Sequence, residues 1–250
     1  MIIKTSVMQY LKDTPNSAYN LLKIEFLYYS NKLEGSTFTK NDLEKLLQEN
    51  IIEGSHQIDD FYETINSTKL FDYVINTLHE PLTKPLLLKL HSMLKTNTMD
   101  EVLGFAGCWK KIPSMITGIK LKFVQPDEVE IKIEELLNEW HASGKKLDDI
   151  MKFHAEFEKI HPFQNSNGRI GRLLILKQCV ENNIDLILIE DEYSKQYKKA
   201  LYKAQTENEY AELKKIFIAC QEHLEDKLSF LKETLEYMET YNVKMNKQSM

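Results

Sequence analysis

The chain has 250 residues, 28% of them charged, with 32 Lys and Arg against 38 Asp and Glu. A formal net charge of -6 removes any global electrostatic case for nucleic-acid binding, and 8 Gly with 6 Pro are too few for a turn-rich β protein. The three cysteines, Cys108, Cys179 and Cys220, are too far apart to suggest a disulfide framework or a zinc spacing, and they suit a reducing cytoplasm.

The N-terminus lacks the long apolar core of a signal peptide. Local periodicity then predicts a succession of amphipathic helices. Ala18 to Glu34 carries Leu21, Leu22, Ile24, Tyr28 and Tyr29 at helical spacing, with Gly35 as a stop. Asn41–Glu49 follows, with Thr39 or Asn41 as N-cap, then Asp59–Leu78 ahead of Glu80-Pro81, then Lys84–Thr96 with Leu86, Leu87, Leu90 and Leu94. Residues 104–126 break the pattern: Gly104, Gly107, Pro113, Gly118 and Pro126 punctuate short alternating pieces. Among these, Ser114-Met115-Ile116-Thr117 reads as part of a β-hairpin.

Helices resume from Pro126 to about Trp140 and from Leu147 to Ile160, the second with Ile150, Phe153, Phe157 and Ile160 on one stripe. An apolar helix is expected at Ile170–Glu181 and further helices around Ser194–Lys203 and Glu209–Tyr237, the last residues fraying. The longest aliphatic runs, Leu173–Leu176 and Leu186–Ile189, are far too short for a membrane span, so no membrane association is expected.

Between two of these helices lies His161-Pro162-Phe163-Gln164-Asn165-Ser166-Asn167-Gly168-Arg169-Ile170-Gly171-Arg172. Small residues just before a helix leave backbone N–H groups bare, and helix N-termini attract anions. Arg169 and Arg172 stand three apart, so both can project from one face of the first turn, and their planar forks suit phosphate oxygens. His161, largely neutral at physiological pH, can accept a hydroxyl proton. The other histidines, His56, His79, His91, His141, His154 and His223, read as surface or capping residues. Phe163 reads as a core anchor.

This stretch resembles the signature of the Fic-domain family (filamentation induced by cAMP), His-Pro-Phe-x-Asp/Glu-Gly-Asn-Gly/Lys-Arg-x-x-Arg, at every fixed position except Asn165 and Ser166. The resemblance implies a mostly α fold, a Fic-type helical bundle with a small β-hairpin flap. It implies transfer of AMP from ATP to a Ser, Thr or Tyr hydroxyl of a protein, with His161 as base. Asn167 would then hold the α-phosphate and Arg169 and Arg172 the β- and γ-phosphates, with Ser166 and Gly168 completing the anion-binding turn. The family's carboxylate for Mg²⁺ corresponds to Asn165, whose carbonyl can ligate a cation but brings no negative charge. Ser166, in place of Gly, would be tolerated only at negative φ. Gly107-Cys108-Trp109-Lys110 through Pro126 looks like the flap that holds the target segment, with Ser114, Met115, Ile116 and Thr117 at its strand.

Upstream, Ser30-Asn31-Lys32-Leu33-Glu34-Gly35 is similar to the family's inhibitory pattern Ser/Thr-x-x-x-Glu-Gly/Asn. An anion at a helix C-terminus is poorly placed against the macrodipole, and Arg172 is its candidate cation. The expected division is an N-terminal helical region over 1–84 with the inhibitory helix at about 18–35, a Fic core over 85–205 and a helical extension over 206–250. The expected partner is a hydroxyl-bearing protein, with no nucleic acid; self-modification and a homo-oligomer are compatible with this reading. Two alternatives stay open: transfer of another phosphate-containing group or removal of AMP, and a catalytically weak nucleotide-binding regulator.

Overall fold

The computed structural model describes residues 8–9, 11–12, 17–115 and 121–229. After the short helical piece around Met8 and Leu11, the helices are α1 (Ala18–Lys32), α2 (Lys40–Glu49), α3 (Ile58–Asn76), α4 (Lys84–Lys95), α5 (Met99–Val102), α6 (Val129–Ala142), α7 (Leu147–Ile160), α8 (Asn167–Glu181), α9 (Asp191–Glu207) and α10 (Ala211–Lys227). Local chemistry sets their ends. Thr39 and Asp42 form a reciprocal capping box ahead of α2, with Thr39 N–H on Asp42 Oδ2 at 2.7 Å and Asp42 N–H on Thr39 Oγ1 at 3.2 Å. Thr83 Oγ1 accepts from Leu86 N at the start of α4, and Pro85 sits in the first turn where its missing N–H costs nothing. Asn50 and Asn208 end α2 and α9 in the left-handed region, at φ 56° in each case.

The organising element is α8. Every residue from Asn167 to Val180 except Gly168 is buried, so the helix has no solvent face and must lie at the centre of the bundle. It packs against α7, α1 and α3, while α6, α9 and α10 pack against α7. One apolar core runs from Met8 to Leu228 and includes Phe71, Leu87, Leu90, Phe157 and Phe217. Residues before and after the 85–205 segment therefore share its core.

The structure corrects the expected elements mainly at their ends. The first helix stops at Lys32, not Glu34, and Leu33, Glu34 and Gly35 form the turn beyond it. The central helix starts three residues early, at Asn167. The helix expected at Ser194–Lys203 runs from Asp191 to Glu207. The one-turn α5 carries too few residues to show a period. The link after α8, residues 182–190, is shorter than the expected elements leave, and within it Leu186, Ile187, Leu188 and Ile189 form a buried non-helical strap. No described residue is in a strand: residues 113–115 and 121–125 flank the flap as extended coil, and Ile116 and Thr117 lie outside the described residues. The final helix is described only to Lys227, and the part expected beyond residue 229 lies outside.

Candidate active site

The loop between α7 and α8 is held by its own side chains. His161 caps α7 with its N–H on Phe157 O at 2.9 Å and turns the chain at φ 50°, a left-handed conformation that a β-carbon disfavours. Phe163 is fully buried and stacks on His91 at 4.0 Å, with Trp109 behind it at 5.6 Å, which fixes the loop to α4 and the flap root. Asn167 turns back on the loop, accepting from Phe163 N at 2.8 Å and donating to Phe163 O at 2.9 Å. Its amide is thereby committed to bracing the loop. The first bond of α8 is Ile170 N to Ser166 O, so the N–H groups before it have no intrahelical acceptor.

Ser166 sits at φ 65°, contrary to the expectation that a side chain there needs negative φ. Its hydroxyl offers no helix cap. It accepts instead from Arg169 Nη2 at 2.6 Å, a contact Gly could not make. Asn165 is exposed, and its Oδ1 already accepts Ser166 N at 2.7 Å.

A cleft of about 370 Å³ opens at this helix N-terminus, walled by Glu34, His161, Asn165, Gly168 and Arg172 and extending along α9 to Tyr197, Leu201 and Gln205. Arg172 donates through Nη2 to Glu34 Oε1 at 2.8 Å and to Ser30 O at 2.8 Å, and through Nε to Ser30 Oγ at 3.1 Å. Burial raises the affinity of the Glu34 carboxyl for its proton, but the charge and hydrogen bond of Arg172 prevail and hold it below the usual range. Gly35 turns the chain away at φ 90°. The expectation that Arg169 shares this cleft fails. Its Nη1 meets Glu63 Oε2 at 2.5 Å, and Glu63 also binds Lys95, which meets Asp100 at 2.6 Å. Three residues along a helix leave the two side chains only about 60° apart, and their partners separate them: Glu63 and Ser166 draw Arg169 one way, while Glu34 and Ser30 hold Arg172 in the cleft.

Burial, followed by the nearby charge of Lys110, pushes the His161 imidazole down to about 4, so it is a neutral acceptor at pH 7. Two other histidines contradict the surface reading. His91 is fully buried, accepts Gly107 N at 3.1 Å and is driven down to about 3 by burial. His154 is 1% exposed, bonds Tyr197 at 2.6 Å and is likewise pushed to about 3 by burial. Glu158, one turn before His161, was missed in the sequence. It lines the cleft, its Oε1 has no hydrogen-bond partner, and burial pushes its carboxyl up to about 8 against the pull of Arg172. Its signal was a charged residue beside an apolar stripe, three residues ahead of the base.

Among the described residues no group of three His, Cys, Asp or Glu could hold a metal. Asn165 offers one neutral oxygen and the loop no carboxylate, a poor donor set for a protein-held Mg²⁺. Nor is any described helix long and apolar enough to cross a membrane, and the three cysteines are free.

Residues 81–179 match the Fic/DOC family. A probable protein adenylyltransferase of Aquifex aeolicus is 37% identical over 79 residues, which is 30% of this chain and 24% of that relative, so the match spans about a quarter of the relative's length. The fold is similar to that of a Fic domain containing signaling protein from Bacteroides thetaiotaomicron, at TM-score 0.71 and 22% identity, over 86% of this chain and 91% of that one. It is also similar to Fic-1 (residues 134–508) from C. elegans, at TM-score 0.69 and 16% identity, over 92% and 71% of the two chains. The segment matched to the Fic/DOC family holds His161, the turn at the start of α8 and both arginines, and the helical bundle around it has the fold of solved Fic-domain proteins.

Proposed function

We propose that this protein transfers AMP from ATP to a Ser, Thr or Tyr hydroxyl of a protein, itself included, and that Glu34 restrains the reaction. One observation carries the reading: a neutral imidazole, a bare helix N-terminus and the Arg172 guanidinium face a single cleft large enough for a nucleotide. In the reaction His161 takes the proton of the target hydroxyl. The oxygen attacks the α-phosphorus in line, the α–β bridging bond breaks, and pyrophosphate leaves. Backbone N–H groups around Gly168 hold the charge that develops on the phosphoryl oxygens, and Arg172, once free of Glu34, binds the far end of the polyphosphate. Arg169 holds Ser166 and the loop in place without touching the phosphates. Any Mg²⁺ would arrive with the nucleotide, and Asn165 could offer it one neutral oxygen.

The flap, with Ser114, Met115, Ile116 and Thr117, would align the target segment; Met115 is 92% exposed and open to such a partner. Residues 1–84, 85–205 and 206–250 are then a restraining region, a Fic core and an extension built on one shared core. The similarity to a probable protein adenylyltransferase of Aquifex aeolicus supports AMP transfer. The occupied guanidinium favours a second reading, in which Glu34 positions a water for AMP removal. The neutral Asn165 and the left-handed Ser166 favour a third, a nucleotide-binding regulator with weak catalysis.

The test is transfer from ATP labelled on the α-phosphate, using wild type, Glu34→Gly and His161→Ala. Loss of the base should cost roughly 10²–10⁴-fold in transfer while nucleotide binding persists. Label loss from pre-modified protein instead would establish the removal reading. Binding without transfer in every form would establish the regulator.

A further inference from the structure

Lys110 lies at the root of the flap and is 2% exposed, an unusual place for an ammonium. Among the described residues no carboxylate pairs with it. Its Nζ donates to Ile160 O at 3.0 Å, the last carbonyl of α7, where a cation meets the negative end of the helix. Its backbone N–H donates to Pro162 O at 2.8 Å. One residue therefore binds the carbonyls on both sides of His161, whose φ of 50° a free chain would avoid. The ammonium and the imidazole also both approach Phe123, whose ring centre is 5.8 Å from Nζ and 4.7 Å from the imidazole centre. Two residues on, Ile112 N donates to Gln164 Oε1 at 3.1 Å, which extends the same seam along the loop.

We propose that Lys110 is the positioning residue of the base: it brackets the strained backbone of His161 and keeps a positive charge behind its ring. This rests on the reading of His161 as general base. The bracket ties the flap root to the catalytic loop, so the surface that would carry the target and the group that would deprotonate it move as one body. The fixed charge adds to burial in opposing protonation of the ring. The other charged or titratable groups lining the cleft beside the imidazole are Glu34 beyond α1, Glu158 on α7, Arg172 on α8, and Tyr197, Lys198 and Tyr202 on α9. Of the flap's other lysines, Lys111 is bonded to Gly104 O at 2.7 Å, and Lys122 is exposed. Burial lowers the Lys110 ammonium itself to about 8, still charged at neutral pH.

The experiment reads the imidazole directly. The His161 ring resonance is followed against pH by NMR in the full chain, assigned by its loss in His161→Gln, for wild type, Lys110→Met and Lys110→Arg. Lys110→Met should raise the titration midpoint by roughly one pH unit, and Lys110→Arg should return it towards wild type. In the Glu34→Gly background Lys110→Met should lower kcat for AMP transfer by roughly 10- to 100-fold with little change in KM for ATP, and Lys110→Arg should recover most of it. Should Lys110→Met fail to fold, Lys110→Gln keeps a donor and drops the charge, and it carries both arms. An unmoved midpoint in a folded neutral variant overturns the proposal, as does equal loss of kcat in the Arg and neutral variants. Absence of transfer in every form would refute the enzymatic reading alone, since the titration arm needs no turnover.

Discussion

Arg169 and Arg172 stand three residues apart on α8, yet one ends in a closed ionic network and the other on the wall of an open cleft. Arg169 is held by Glu63, which shares its carboxylate with Lys95 and through it with Asp100, while Ser166 takes the second fork of the guanidinium. Arg172 is held by Glu34, whose side chain is 29% exposed and sits past the end of its helix. The first cation has two direct partners locked into a wider ionic network, and only a small void of about 20 Å³ beside it. The second is anchored by Ser30, but its charge partner Glu34 sits in a turn beside a cavity. What separates a structural guanidinium from a ligand-binding one is the freedom of its partner to leave.

The strongest way to break this comparison is to remove each arginine in turn. Arg169→Met leaves part of a buried carboxylate unpaired and should destabilise the fold by about 3 kcal/mol. Arg172→Met lets Glu34 reach water and should cost about 1 kcal/mol, while abolishing transfer. Chemical denaturation of both variants checks this; equal losses would erase the distinction.

Next in size is release of the displaceable partner. Glu34→Gly should raise AMP transfer roughly 10- to 100-fold, the equivalent of about 1.4–2.7 kcal/mol in barrier, and only while Arg172 is present. The double variant with Arg172→Met should return to the low rate. A Glu34→Gly rate equal to wild type would leave the ion pair as an ordinary helix end.

Glu158 offers a subtler probe, because it lies between the base and Arg172. Folded, it keeps its proton up to about 8, whereas an unfolded Glu releases it at about 4.3. The folded state therefore binds the extra proton, and stability should fall as pH rises through this window. The buried His91, His154 and His161, with lowered values of about 3, about 3 and about 4, act oppositely below about 6.5, so the Glu158 slope is cleanest between about 6.5 and 8. Glu158→Gln should flatten thermal stability over that range. An unchanged slope would mean that the carboxylate is ionised in the folded chain.

The smallest effect concerns Ser166. Ser166→Ala keeps the left-handed strain and loses the bond to Arg169, so it should cost about 1 kcal/mol. Ser166→Gly loses the bond and relieves the strain, so the two terms should nearly cancel. Unfolding midpoints for the pair separate the contact from the conformation.

Much of this was legible in advance. The stripe of Ile150, Phe153, Phe157 and Ile160 predicted Leu147–Ile160 as a helix with both ends right, because a single-sided apolar face leaves a clean period. The loop and the Glu34 pattern were legible as residue types at fixed spacing. The split between Arg169 and Arg172 was not, since it depends on Glu63, more than a hundred positions away. The positive φ of His161 and Ser166 was equally hidden, because nothing local favours a side chain there and tertiary contacts impose it. Lys110 reads as one of several surface lysines until the chain closes over it.

Gly168 carries a last consequence. Its φ is ordinary for a helix, so it is not required for backbone freedom. A methyl group there would collide with Glu34 Oε1 and crowd Arg172 Nη1 at 2.8 Å. The missing side chain makes a slot at the start of α8 that one anion can fill, and Glu34 fills it. On the proposed reading a phosphate and this carboxylate would be rivals for one seat, and the carboxylate is tethered, with an effective concentration set by the chain rather than the solution. Nucleotide would then have to outcompete a resident that never diffuses away. Even Gly168→Ala should evict that resident while leaving every charged residue in place.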